Sequence, residues 1–120
     1  MSQEVLIEPA EHARLAVDLA SEKLASDIVL LDLRGVCDFA DYFVILTAES
    51  TRQMNSLADD LEMALKGRGA GLHHREGTSH GGWRLLDFGD VIVHMFGPEE
   101  RDFYRLEGAW PEAVEVVRIQ

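Results

Sequence analysis

Apolar residues recur along this chain at helical spacing first and at strand spacing afterwards. Ala13, Ala16, Val17, Ala20 and Leu24 fall at i, i+3, i+4, i+7 and i+11, which predicts an amphipathic helix. Glu8-Pro9 suits its start, because proline is tolerated at the first helical position. Ile28-Val29-Leu30-Leu31-Asp32-Leu33 is almost continuously apolar and rich in β-branched residues, as in a strand covered on both faces. Gly35 to Asp41 reads as a turn region, and Tyr42–Thr47 as a second strand of the same buried kind. Ser50-Thr51-Arg52-Gln53 is a capping box, in which the Ser50 hydroxyl takes the Gln53 amide proton while Gln53 reaches back. Behind it Met54, Leu57, Ala58, Leu61, Ala64 and Leu65 line one helical face, opposite Asp59, Asp60 and Glu62.

Gly67 to Gly71 ends that helix, and Leu72–Gly77 reads as a short third strand before the polar loop Thr78–Gly82. Two further strands make a hairpin over Trp83–Phe96, turned at Phe88-Gly89-Asp90. A last helix opens on Gly97-Pro98 and closes at Gly108, with Phe103, Leu106 and Trp110 at i, i+3 and i+7 read mostly as core. The order is therefore αββαβββα, an α/β (α+β) single domain with a mixed sheet flanked by helices. The domain is assigned to residues 1–120, with a core from about 10 to 110 and a C-terminal tail over 111–120.

Charge narrows the partners. Eleven Lys and Arg against 22 Asp and Glu give a formal net charge of −11. Lysine occurs only at Lys23 and Lys66, and no Lys/Arg cluster offers a phosphate backbone the basic face it needs. Such a chain is repelled by bare nucleic acid and by anionic membranes, and attracted to basic proteins. No DNA contact and no membrane contact are expected, and rRNA contact is minor at most. No apolar run reaches the ~20 residues that cross a bilayer, and the N-terminus lacks a secretory pattern. The single cysteine, Cys37, fits a reducing compartment, so the cytoplasm is the expected location.

The candidate chemistry is sparse. Gly67-Arg68-Gly69-Ala70-Gly71 follows a helix, whereas a phosphate cradle precedes one, so it reads as a cap and turn. His73, His74 and His80 lack metal-ligand spacing, and no metal or cofactor is expected. His94, placed on a strand face with Val91 and Val93, is read as satisfied or partner-facing. Cys37 has no neighbouring histidine to make it a thiolate. Asp87 and Asp90 are the one pair suited to a magnesium-dependent nucleotidyltransferase, the alternative function. They straddle a turn that favours Asp and Gly for backbone reasons, and no Gly-Ser loop accompanies them. The unexplained mass is aromatic: Trp83 starts a strand after a glycine-rich loop, where an indole gains little unless something covers it.

These residues in order resemble the ribosomal silencing factor family, also called Iojap. The series is Asp27-Ile28-Val29, Leu31-Asp32-Leu33-Arg34-Gly35, Asp41-Tyr42-Phe43-Val44-Ile45, Ser50 with Arg52-Gln53, Glu76-Gly77, Trp83 with Leu85-Leu86-Asp87, Gly89-Asp90-Val91-Ile92-Val93-His94, and Phe103-Tyr104 with Leu106-Glu107. The match runs from about Leu15 to Trp110; Cys37 and the tail after Trp110 depart from it without touching these motifs. The resemblance implies a nucleotidyltransferase-like fold without catalytic activity. It also implies binding to the large ribosomal subunit through its ribosomal protein number fourteen, a block on small-subunit joining and repression of translation. Homodimers are implied as well. The expected partner face is Trp83, Leu85, Asp87, Gly89, Asp90 and His94, with Tyr104 and Glu107 of the last helix.

Overall fold

The computed structural model of the protein describes residues 9–120, so the helix-start assignment at Glu8 lies outside the described residues. The elements run α1 (Pro9–Glu22), β1 (Ser26–Asp32), β2 (Tyr42–Thr47), α2 (Thr51–Lys66), β3 (His74–Thr78), β4 (Trp83–Asp87), β5 (Val91–Phe96), α3 (Pro98–Tyr104), a 3-10 turn (Leu106–Ala109) and β6 (Val114–Ile119). The strands form one sheet in the order β3-β4-β5-β2-β1-β6. It is mixed: β2 and β5 run parallel, and the other neighbours are antiparallel.

Strand alternation divides the core into two layers. Ile28, Leu30, Tyr42, Val44, Leu46, Val91, Val93 and Met95 face α1 and α2, whose Ala13, Ala16, Val17, Ala20, Met54, Leu57, Leu61 and Leu65 close over them. Val29, Leu31, Phe43, Ile45, Ile92 and Phe96 face the other way, against Leu33, Ala40 and the partly buried Trp83, Leu85, Leu106 and Trp110. This second face is covered by loops and short helices, and it is the one that stays partly open. The continuous apolar runs of β1 and β2 follow from this, since both their faces are covered.

The Ser50 hydroxyl accepts from the Gln53 amide at 3.0 Å, as a capping residue does. The return contact goes elsewhere: Gln53 Oε1 accepts from the Glu49 amide at 2.6 Å, and its Nε2 donates to the Lys23 carbonyl at 3.0 Å. The capping side chain therefore also ties α2 to the end of α1. After α2, the Ala70 amide returns to the Leu65 carbonyl at 2.8 Å with Gly69 at φ +90°, a helix exit that places no helix N-terminus over the glycines.

Two expectations at the C-terminus fail. Residues set down as a tail form β6, whose Val114–Ile119 pairs antiparallel with β1. Four of its six residues are β-branched, and without it β1 would have an open edge. The last helix is also shorter than read. It ends at Tyr104, because Arg105 turns left-handed at φ 48° and the chain tightens into the 3-10 turn. That turn breaks the helical register of Phe103, Leu106 and Trp110, so Phe103 is 79% exposed instead of core.

The β3–β4 hairpin depends on one glycine. Gly77 sits at φ +79°, and a Cβ there would run into the Trp83 carbonyl and indole. Gly77→Ala is expected to cost about 1–3 kcal/mol of stability from backbone strain and collision together, read as a lowered midpoint in urea unfolding. A midpoint equal to wild type would mean that β3 tolerates a side chain at this position.

Candidate functional site

The β4–β5 pairing sets which side chains meet. Trp83 stands opposite Phe96, Leu85 opposite His94, and Asp87 opposite Ile92. Alternation sends Arg84 and Leu86 toward α2, where Arg84 Nη1 donates to Asn55 Oδ1 at 3.1 Å. It sends Trp83 and Leu85 to the second face, together with His94 and Phe96. Val91 and Val93 point to the helix side, so His94 does not share their face as the sequence reading had it; residues one and three positions away on a strand lie on opposite faces.

His94 is the centre of an aromatic group. Its ring lies 4.7 Å from Phe43, 6.3 Å from Phe96 and 6.5 Å from Trp83, centroid to centroid. Trp83 Nε1–H donates to His94 Nδ1 at 3.4 Å. An indole nitrogen only donates, so His94 accepts at Nδ1 and the neutral ring carries its proton on Nε2. Nε2 is buried without a hydrogen-bond partner. Burial, at 7% exposure, pushes the imidazole pKa down to about 4, since charging it here would forfeit hydration. His94 is neutral at physiological pH and serves as a packing and accepting group.

Beside it opens a shallow cavity of about 240 Å³, lined by Trp83, His94, Phe96, Tyr104 and Leu106. Tyr104 is 57% exposed, packs on Phe96 at 5.7 Å and meets Phe103 edge-on at 5.1 Å. The adjoining hollow is lined by Gly81, Glu99, Glu100, Phe103 and Tyr104, so two acidic residues border the exposed aromatics, with the Glu100 carboxylate turned onto Gly82 and Gly97.

Glu107 sits differently from its expected role. It accepts from Arg101 Nη2 at 3.0 Å, while Arg101 Nη1 donates to Thr47 Oγ1 at 2.9 Å. Burial raises the Glu107 pKa, but the Arg101 hydrogen bond and nearby positive charge outweigh it and hold the carboxyl below its usual range. The pair therefore pins the 3-10 turn to the end of β2, and so places Leu106 and Tyr104 around the cavity.

Asp87, Gly89 and Asp90 lie at the other end of the hairpin, roughly 13 Å from Trp83 along β4 at ~3.3 Å per residue. Asp87 Oδ1 accepts from the Gly89 amide at 2.8 Å, and Gly89 is at φ +97°, so both serve the turn. The Asp90 carbonyl accepts from the amides of Asp41 and Tyr42, and its exposed side chain borders a separate cleft with His12, His73 and Gly69. Among the described residues, no group of three or more His, Cys, Asp or Glu converges as metal ligands would.

Of the eight expected residues, Trp83, Leu85, His94 and Tyr104 are thus gathered on one face, Glu107 braces it from within, and three belong to the distant turn. Sequence reasoning missed Phe96, Leu106 and Arg101 as parts of the site. Phe96 was legible from its even spacing with His94. Nothing in the order of residues pairs Arg101 with Thr47, which lies 54 positions away.

Residues 7–120 match the family described as RsfS, ribosomal silencing factor during starvation. A ribosomal silencing factor RsfS of Halalkalibacterium halodurans is 35% identical over 106 residues, covering 88% of this chain and 91% of its own. A protein of Mus musculus named mitochondrial assembly of ribosomal large subunit protein 1 is 32% identical over 111 residues, covering 85% of this chain and 49% of its own. The crystal structure of a Chromobacterium violaceum protein superposes with a TM-score of 0.81 at 31% identity, over 92% of this chain and 94% of that one.

Proposed function

The chain belongs to the ribosomal silencing factor (RsfS) family, and on that premise we propose that it binds the large ribosomal subunit and blocks small-subunit joining. The partner on the subunit is a basic ribosomal protein, number fourteen of the large subunit. The bound factor acts without catalysis, by occupying space in the cytoplasm's pool of free large subunits, and so represses translation.

One observation supports this best: an aromatic cavity bordered by Trp83 and Tyr104, flanked by Glu99 and Glu100, on a chain of net charge −11. Aromatic anchors in a hollow with a charged rim are the composition of a protein interface. The acids favour a basic protein over a phosphate backbone. The turn role of Asp87, whose Oδ1 accepts from the Gly89 amide, favours the non-enzymatic reading over the nucleotidyltransferase alternative.

The test is direct. Isolated large and small subunits mixed with the purified protein are expected to give a smaller joined fraction in a sucrose gradient, with the protein travelling in the large-subunit peak. Unchanged joining with the protein bound would overturn the steric block, and no co-migration would overturn the partner. Binding of nucleoside triphosphate and magnesium that disappears in Asp90→Asn, measured by calorimetry, would revive the enzyme.

A further inference from the structure

The aromatic group around His94 does not stop at the cavity. Phe43, under His94, also packs against Trp110 at 5.0 Å and Phe39 at 6.1 Å, and Phe39 meets Trp110 edge-on at 6.2 Å. Trp83, His94, Phe43, Trp110 and Phe39 thus form one continuous set of rings across the second face of the sheet. Its far end is Phe39, which is 61% exposed.

We infer that Phe39 and Trp110 form a second anchor on this face, one that meets the same basic protein partner as Trp83 and Tyr104. The inference rests on the proposed ribosomal partner and extends its footprint to the loop between β1 and β2.

Three observations carry it. First, Phe39 is largely exposed yet rests on Phe43 and Trp110, at the tip of a loop whose ends are tied down. The loop is closed by the Leu33 amide on the Asp41 carbonyl at 2.8 Å, the Val36 amide on the Leu33 carbonyl at 2.9 Å, and the Asp41 amide on the Asp90 carbonyl at 2.8 Å. An aromatic already seated against other rings loses less conformational freedom on binding than a free one, which suits an anchor. Second, Trp83, Leu106 and Trp110 are all partly buried against the same core layer, so the loop and the cavity lie on one side of the sheet, where one partner would meet both. Third, Asp38 and Glu112, close in sequence to Phe39 and Trp110, are exposed and acidic, as Glu99 is at the other end. A nucleic acid strand would also stack on Phe39, but its phosphates would lie against these carboxylates.

Phe39→Ser and Phe39→Arg, measured beside Trp83→Ala, test it by titration of labelled protein with purified large subunits. Phe39→Ser is expected to weaken binding about tenfold, and Phe39→Arg more; because the ring also packs on Phe43 and Trp110, a melting curve of each variant separates lost stability from lost binding. Wild-type affinity in both Phe39 variants, with binding lost in Trp83→Ala, would overturn the second anchor and leave the proposed function standing. A Phe39→Ser change in oligomeric state without a change in subunit affinity would also overturn it, assigning the patch to a second copy of the chain. Normal binding in all three variants would instead overturn the assignment of this face to the subunit.

Discussion

Trp83→Ala is expected to weaken binding to the large subunit by at least about 30-fold, which removes co-sedimentation at working concentrations. Truncating an aromatic anchor at the centre of an interface typically costs ~2 kcal/mol or more, and 2 kcal/mol corresponds to about 30-fold. Trp83 meets the description: it is half-buried, borders the cavity with Tyr104, and has its indole oriented by the bond to His94 Nδ1. The indole also rests on the second core layer, so some loss of stability accompanies the change. Far-ultraviolet circular dichroism and a melting curve separate the two effects. A folded Trp83→Ala protein that still travels with large subunits would remove this face from the interface.

Acid should destabilise the protein through His94. Its folded pKa is about 4 against an ordinary 6.5, so between those values the unfolded chain binds a proton that the folded chain refuses. The stability held by the neutral ring is present above pH 6.5, declines as pH falls through that window, and is gone near pH 4. By linkage the loss is on the order of 2 kcal/mol at pH 5 and 3 kcal/mol at pH 4. His94→Phe keeps an aromatic ring against Phe43 and Phe96 and carries no titrating group. The difference between wild type and His94→Phe in urea unfolding should therefore shift in favour of the variant by this amount between pH 7 and pH 4. Parallel stability curves for the two proteins would mean that the ring is hydrated in the folded state. Binding to the subunit should be flat between pH 8 and pH 6, because His94 stays neutral throughout.

Particular residues show how much of this was legible beforehand. The buried runs at Ile28–Leu33 and Tyr42–Thr47, the Ser50 cap and the hairpin turn at Asp87-Phe88-Gly89-Asp90 follow from spacing and turn chemistry over a few residues. The turn role of Asp87 was legible for the same reason, since its carboxylate answers an amide two positions on. The acidic balance was legible from counting, and with it the preference for a basic protein.

The site itself was only half legible. Trp83 and His94 are recognisable as notable residues, but their contact depends on the β4–β5 register. The placing of His94 on the face opposite Val93 follows from strand alternation alone and was legible without the register. The left-handed Arg105 ends α3 because Arg101, anchored to Thr47, and Glu107 draw the following turn back onto the sheet. Those contacts turn Phe103 outward and bring Leu106 in. Residues 111–120 read as a tail because their weak strand pattern means little until β1 offers an edge to pair with.

By itself, then, the sequence determined the strands and helices of the core, the turn chemistry, and the sign of the charge a partner must carry. These are set by interactions between residues near one another in the chain, or by totals over it. The tertiary structure alone decided which aromatics share a face, that Glu107 is an internal brace, and that Val114–Ile119 form a strand. Each of these depends on contacts between segments far apart in the chain, whose energies exist only once the sheet has assembled.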